Sequence, residues 1–424
     1  MVFRLSALKV ARLLWIVVSL VFVSACTEVR EETEILRVGT SGDYEPFSVL
    51  NTSGEYAGFD IELARRFAIE HDLELELVPF KWAELAADLE AGKFDLAMSG
   101  VTIRKDRSLL GQFSVPTATS GAVVILPAHS ELETLQALDN QAVRLGVNLG
   151  GHLERVTRKQ FPRATMVTSS DNQALPKMLE EGAIDAVVTD TMEAPYWLSR
   201  LKGAKALAPF TQDLKAAWVR AYQSVLVQQL NAWLVEQETN GSLGALRESL
   251  LPPGNDAKTA DPFSALLAAM VERLSLMSDV AESKRATGKA IEDLEQEERV
   301  LLAAVEGVSQ EAERRGVVHP DVTTVEQFFH AQIEAAKAIQ RQVMRQAAST
   351  DEPLDLVNDI RPALVRISAR INQLICLLPS AVTKDEQEVL EQINQALLVY
   401  GLPDKEEKQL TTALLAIAGF SSSY

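Results

Sequence analysis

The chain has 424 residues, 47% of them hydrophobic and 24% charged, and a formal net charge of −18. That length exceeds one ordinary core, and the composition excludes disordered and multi-pass membrane classes. The negative charge argues against nucleic acid or an anionic membrane surface as main partner. With five histidines and two cysteines, neither a metal centre nor a His-based triad is an attractive reading.

Arg4, Lys9 and Arg12 precede the apolar run Leu13 to Phe22, which is too short for a comfortable membrane span and reads as an export signal. The run closes on Val23-Ser24-Ala25-Cys26, which resembles a bacterial lipobox. The expectation is a lipoprotein signal over 1–25, a tether over 26–34 and a lipid on Cys26 as the sole membrane attachment. The alternative is an ordinary signal cut after Ala25. If Cys26 is acylated, Cys376 has no partner for a disulfide.

Leu36 to Val38 and Leu73 to Val78 read as strands around a helix from Phe59 to Ile69. Leu96 to Met98, Val123 to Leu126, Val143 to Val147 and Ala186 to Val188 are further strands. This alternation predicts an α/β domain with mostly parallel sheets over 35–250. The Pro- and Gly-bearing stretch 251–261 reads as a linker. From 262 to 424 the pattern is helical only: Leu266, Met270, Leu274, Met277 and Ala281, then Val325, Phe329, Ile333, Ala336 and Ile339, recur at helical spacing.

Val38-Gly39-Thr40-Ser41-Gly42-Asp43-Tyr44-Glu45-Pro46-Phe47, Gly58-Phe59-Asp60-Ile61-Glu62-Leu63-Ala64 and Phe94 to Arg107 with Phe113-Ser114-Val115-Pro116 resemble extracellular amino-acid-binding proteins. That resemblance implies a two-lobed, periplasmic-binding-protein-like (type II) α/β domain whose ligand lies between lobes, with Val123 to Leu126 as the first crossing. It further implies that Arg107 grips a carboxylate, aided by the Thr102 hydroxyl and backbone groups near Ser99 and Gly100. On residue type alone, Arg107 reads as a surface partner of Asp106. Asp43 and Tyr44 with Pro46-Phe47, Trp82, and Thr189-Asp190-Thr191-Met192-Glu193-Ala194 resemble cyclohexadienyl dehydratases, which convert prephenate to phenylpyruvate or arogenate to phenylalanine. Asp43, Trp82 and Asp190 then line the substrate site and Glu193 is the acid; without the motif, Glu193 reads as an exposed loop residue. His152 and Leu153 depart from the family's Thr-Asn after Gly150-Gly151, and Ala122 stands where a lysine is expected. A non-catalytic or sensory binding domain therefore remains the alternative.

Glu272-Arg273-Leu274, Val280 to Lys284, Ile291-Glu292-Asp293, Phe328 to Gln340 and Arg361 to Asn372 resemble the exported gamma class of all-α chorismate mutases. Independently of that likeness, Arg273 and Lys284 lie eleven positions apart on one apolar helix face, where buried cations call for anionic partners. Arg370, between Ile367 and Ile371, is a third cation that could converge from a later helix. The resemblance implies that Arg273 and Arg370 hold the carboxylates, Lys284 and Gln340 donate to the ether oxygen, and Asp293 and Glu297 bind the ring hydroxyl. Gln296 replaces an arginine common in relatives. Neither reaction calls for a cofactor, and prephenate, product of one half, is substrate of the other.

Overall fold

The computed structural model describes residues 34–254, 257–378 and 385–420. The expected signal, the tether and Cys26 lie outside these residues. Among the described residues, no helix is long and apolar enough to cross a membrane.

The α/β half begins with β1 (Ile35–Thr40), α1 (Phe59–Glu70), β2 (Glu74–Pro79) and β3 (Leu96–Ala97). The short helix α2 (Lys105–Leu110) leads into β4 (Gly111–Phe113) and β5 (Ala118–Ser120). A second lobe follows, with β6 (Ala122–Leu126), β7 (Arg144–Asn148), α3 (His152–Gln160), β8 (Thr165–Ser169), β9 (Ala186–Asp190) and β10 (Lys205–Ala206). The chain then returns through β11 (Asp213–Lys215) to β12 (Trp218–Arg220). Helices α4 (Ser224–Thr239) and α5 (Ser242–Leu250) end this half.

The first lobe's sheet runs β2-β1-β3-β12-β4 and the second's runs β8-β7-β9-β6-β10. Parallel pairs such as Val38 with Leu77 make up the βα units, whereas β6 runs antiparallel to β9, with Val124 opposite Val188. Leu145, Val147, Ala186, Val187 and Val188 are all fully buried, as strands covered on both faces require. The lobes are joined where β5 pairs with β11, Thr119 opposite Leu214. The crossing therefore lies at 118–120 and 213–215. Val123 to Leu126, expected to cross, is an interior strand of the second lobe because its apolar residues have a partner on each side.

From Pro262 onward every labelled element is helical: α6 (Pro262–Ser275), α7 (Met277–Thr287), α8 (Leu294–Arg315), α9 (Val322–Arg345), α10 (Arg361–Leu377), α11 (Glu386–Leu397) and α12 (Asp404–Ile417). Asp261 caps α6 ahead of Pro262, and Asp321 caps α9 by accepting the Thr324 N–H. The periodic residues Leu266, Met270, Leu274, Val325 and Phe329 are buried at 1% exposure or less, so these stripes form the bundle core.

The bundle packs on the first lobe through a polar seam. Glu272, on α6, accepts the Ser108 hydroxyl at 2.7 Å and pairs with Arg370 of α10. Arg366 donates to the Ser108 and Leu109 carbonyls, and Lys105 pairs with Asp279 at 2.8 Å. Asn231 of α4 donates to Gln373 at 3.0 Å.

Candidate functional site

Two sites emerge, one in the bundle and one between the lobes. The bundle site is a cavity of about 730 Å³ lined by α6 through α10. Arg273, Lys284, Asp293, Glu297 and Gln340 all line it, together with Lys289, Lys337 and Arg361. Apolar walls come from Met277, Val280, Val300, Phe329 and Ile333.

Arg273 is 7% exposed, and its Nε and Nη1 meet no acceptor among the described residues. Burial pulls its pKa down to about 10, which leaves it charged at neutral pH and in need of an anion. Lys284 projects from the last turn of α7 and rests on the Ile291 carbonyl at 2.7 Å. Burial also lowers its pKa, against the pull of Asp293 and Glu297. Gln340 places its amide nitrogen 3.7 Å from the Met277 sulfur, and its amide oxygen has no partner among the described residues. Helices α6 and α7 are separate, divided at Leu276, yet α-helical torsions there keep the chain turning, so Arg273 and Lys284 reach the same cavity.

Asp293 and Glu297 hold each other and the start of α8. Asp293 accepts the Gln296 N–H at 3.0 Å, and Glu297 Oε1 accepts the Asp293 N–H at 3.3 Å. The other Glu297 oxygen bonds Lys337 Nζ at 3.0 Å, and Lys337 also pairs with Glu334 at 2.7 Å.

Arg370 is not in this cavity. It donates to the Phe113 carbonyl at 2.6 Å and pairs with Glu272 in the seam to the first lobe. The cation that α10 does present is Arg361. Nine residues separate the two, which at ~100° per residue is about half a turn, so they point from opposite faces. Arg366 and Arg370, four apart, share the seam face. Sequence reading missed Lys337, one turn before Gln340, which helix-face arithmetic from Gln340 would have found, and Arg361, which the same arithmetic from Arg370 would have placed on the opposite face.

The second site lies between the lobes. Tyr44, Trp82, Gly100, Thr102, Arg107, Asn148, His152, Leu153, Asn172, Glu193 and Lys215 leave a cleft of only about 30 Å³ between them. The lobes are therefore closed. Asn172 and Gln173 donate across to the Asp43 carbonyl at 3.1 and 2.8 Å, and Arg200 pairs with Glu45 at 2.7 Å. A Cβ at Gly150, where φ is +78°, would stand 2.5 Å from the Ala83 backbone, so this close approach requires glycine.

Glu193 is fully buried, accepting from Asn172 and from the Thr189 hydroxyl, each at 2.7 Å. It is not the exposed loop residue of the alternative reading. Burial raises its pKa well above the carboxylate range, with Asp190 adding to the rise. Arg107 is also buried; its pKa is held down to about 9 by burial and by Arg104. It donates to the Thr102 carbonyl at 3.0 Å and lies over the Trp218 ring, while Asp106 pairs instead with Arg104 and Arg155.

The other expected cleft residues make their contacts within the protein. The Ser99 hydroxyl bonds the Ser41 hydroxyl at 2.8 Å, away from the cleft lining, and the Gly100 N–H donates to buried Asp60 at 2.6 Å. Asp190 faces no open space: its Oδ1 accepts the Met192 and Glu193 N–H groups, and its Oδ2 takes the Tyr44 hydroxyl and Lys215. The Thr102 hydroxyl accepts from Lys215 at 3.0 Å. Asp43 stands at the rim, taking the Trp82 indole N–H at 3.2 Å.

The lysine missing at Ala122 has a counterpart in space. Ala122 lies opposite Asp190 in the second lobe's sheet, and the cation beside that carboxylate is Lys215, from β11 at the return crossing. It is 3% exposed and nothing in its local sequence marked it. His152 Nε2 lies 2.9 Å from Asp213, with burial lowering its pKa.

Residues 36–252 match the model of bacterial extracellular solute-binding proteins, family 3. The chain belongs to that family. Residues 264–341 match chorismate mutase type II, so a solute-binding domain of family 3 is joined here to a chorismate mutase domain. The chain is 34% identical over 165 residues to cyclohexadienyl dehydratase of Pseudomonas aeruginosa, covering 38% of this chain and 62% of that enzyme, less than two thirds of its length. It is 28% identical over 220 residues to the L-cystine-binding protein TcyJ of Escherichia coli K12, covering 51% of this chain and 83% of that protein. Among solved structures, the ancestral amino acid-binding protein AncCDT-1, a precursor of cyclohexadienyl dehydratase, is 31% identical over 51% of this chain and 96% of its own, with a TM-score of 0.49.

Proposed function

We propose that this protein is a bifunctional enzyme: the bundle converts chorismate to prephenate, and the interlobe cleft converts prephenate to phenylpyruvate, or arogenate to phenylalanine. The observation that carries the reading is the bundle cavity, where a buried arginine whose Nε and Nη1 meet no acceptor among the described residues lines the same apolar-walled space as Lys284 and Gln340.

The rearrangement breaks one C–O bond and forms one C–C bond with no proton transferred, so positioning and charge do the work. Arg273 and Arg361 hold the two carboxylates and fold the dianion into its compact conformer. Lys284 and the Gln340 amide donate to the ether oxygen as negative charge builds there. Asp293 and Glu297 face the ring hydroxyl. Lys289 supplies positive potential where Gln296 does not, and Lys337 holds Glu297 in position.

In the cleft, Glu193 gives its proton to the departing ring hydroxyl, which leaves as water. The ring carboxylate leaves as carbon dioxide, and the electrons of that C–C bond complete the aromatic ring. A neutral, buried Glu193 suits this role, and Arg107 holds the side-chain carboxylate. Substrate enters by parting of the lobes about β5 and β11.

The family match to extracellular binding proteins supports export, and the segment ending at Cys26 supports a lipid anchor in the periplasm. Mixing purified protein with chorismate, then separately with prephenate, and following the products by NMR tests both halves. Prephenate and then phenylpyruvate are expected. A domain that binds prephenate but leaves it unchanged would make the α/β half a receptor appended to a mutase.

A further inference from the structure

The closed cleft constrains which acids it can hold. Each carboxyl group around it is already engaged. Asp190 has backbone N–H groups of Met192 and Glu193 on one oxygen, at 2.9 and 3.1 Å, and the Tyr44 hydroxyl with Lys215 on the other. Glu193 has both oxygens bonded, to Asn172 and Thr189. Asp213 lies 2.9 Å from His152 and accepts the Thr211 hydroxyl at 2.9 Å. Asp43, at the rim, is tied to Trp82.

The cations are arranged the other way. Arg107 spends one contact on a carbonyl within its own segment. Lys215 sits 3.0 Å from both the Tyr44 and Thr102 hydroxyls, with its ammonium over the Tyr44 and Phe47 rings. An α-amino acid brings an ammonium group that needs a carboxylate. To reach Asp190 it would have to displace Lys215 from a site where that lysine is 3% exposed, leaving two cations to share one buried acid. An acid with an oxo group in place of the amine makes no such demand and leaves Lys215 paired.

We propose that Lys215, by occupying Asp190, makes this cleft selective for carboxylates that lack an α-amino group: 2-oxo acids and prephenate, against amino acids and arogenate. This rests on the cleft being the site named above, and it assigns that site's substrate class. Lys215 is a specificity-determining residue and takes no part in proton transfer.

Phenylpyruvate and phenylalanine differ at that one position and serve as probes. Calorimetric titration of the full chain should find phenylpyruvate bound at least about tenfold more tightly. Lys215→Gln, which releases Asp190, should bring the two within about threefold of each other, and Lys215→Arg should keep the preference. Equal or tighter binding of phenylalanine by the unaltered protein, binding of neither probe, or an unchanged ratio in Lys215→Gln would overturn the proposal. Should Lys215→Gln fail to fold by circular dichroism, loss of the preference in Lys215→Arg overturns it as well. Prephenate turnover is read separately on the same preparation. Its absence removes the dehydratase reading and leaves the selectivity standing, whereas turnover with equal affinity for both probes removes the selectivity alone.

Discussion

Lys284 is half-buried beside Asp293 and Glu297, and burial lowers its pKa below the ordinary 10.5. A donor that acts mainly as charge builds on the ether oxygen contributes about 3–4 kcal/mol, so Lys284→Ala should lower mutase kcat by about 10²–10³ with a smaller change in KM. The pH dependence follows from the same residue. Its charged form is the active one, so kcat/KM should fall as pH rises through its lowered pKa, while the Gln340 amide donates at any pH and adds no limb of its own. Gln340→Glu must be protonated to donate, so that variant should lose activity as pH rises through its carboxyl pKa; a profile superimposable on the parent's would exclude Gln340 from the donor role. In the cleft the sign is the same for a different reason: Glu193 acts protonated and its pKa is raised, so dehydration should fade on the alkaline side, and Glu193→Gln should abolish it.

Helix α10 carries two jobs on opposite faces, and its arginines separate them. Arg361→Ala should raise the mutase KM about tenfold or more, the worth of a charged hydrogen bond, with little change in stability. Arg370→Ala leaves Glu272 buried and unpaired and should cost about 3–5 kcal/mol in urea unfolding, with KM little changed if the protein is folded. This is also where reading the sequence reached its limit. Periodicity made the helices and strands legible because burial enforces it, and motif spacing brought Arg273, Lys284, Asp293, Glu297 and Gln340 to one cavity. It could not tell which face of α10 meets the cavity and which meets the first lobe, since isoleucines flank Arg370 whichever partner covers it. Lys215 was illegible for a related reason: it reaches Asp190 only because β11 recrosses beside the cleft, a long-range consequence of topology.

The molecule as a whole joins a binding-protein architecture to a helical bundle through buried ion pairs and hydrogen bonds, Glu272–Arg370 and Ser108 among them. Trp82, Trp197, Trp218 and Trp233 lie in the α/β half and the bundle has no tryptophan, so their fluorescence reports the α/β half while mutase activity reports the bundle. In urea the two signals should be lost together, because the seam couples the halves, and Arg366→Ala with Arg370→Ala should separate them. Separate transitions in the unaltered protein would show the halves to be independent. The most direct test of the account is the rate at which the purified full chain consumes chorismate, measured beside Lys284→Ala. Rapid formation of prephenate, slowed at least about a hundredfold in the variant, is predicted; no conversion by the parent protein, or equal rates in both, would contradict it.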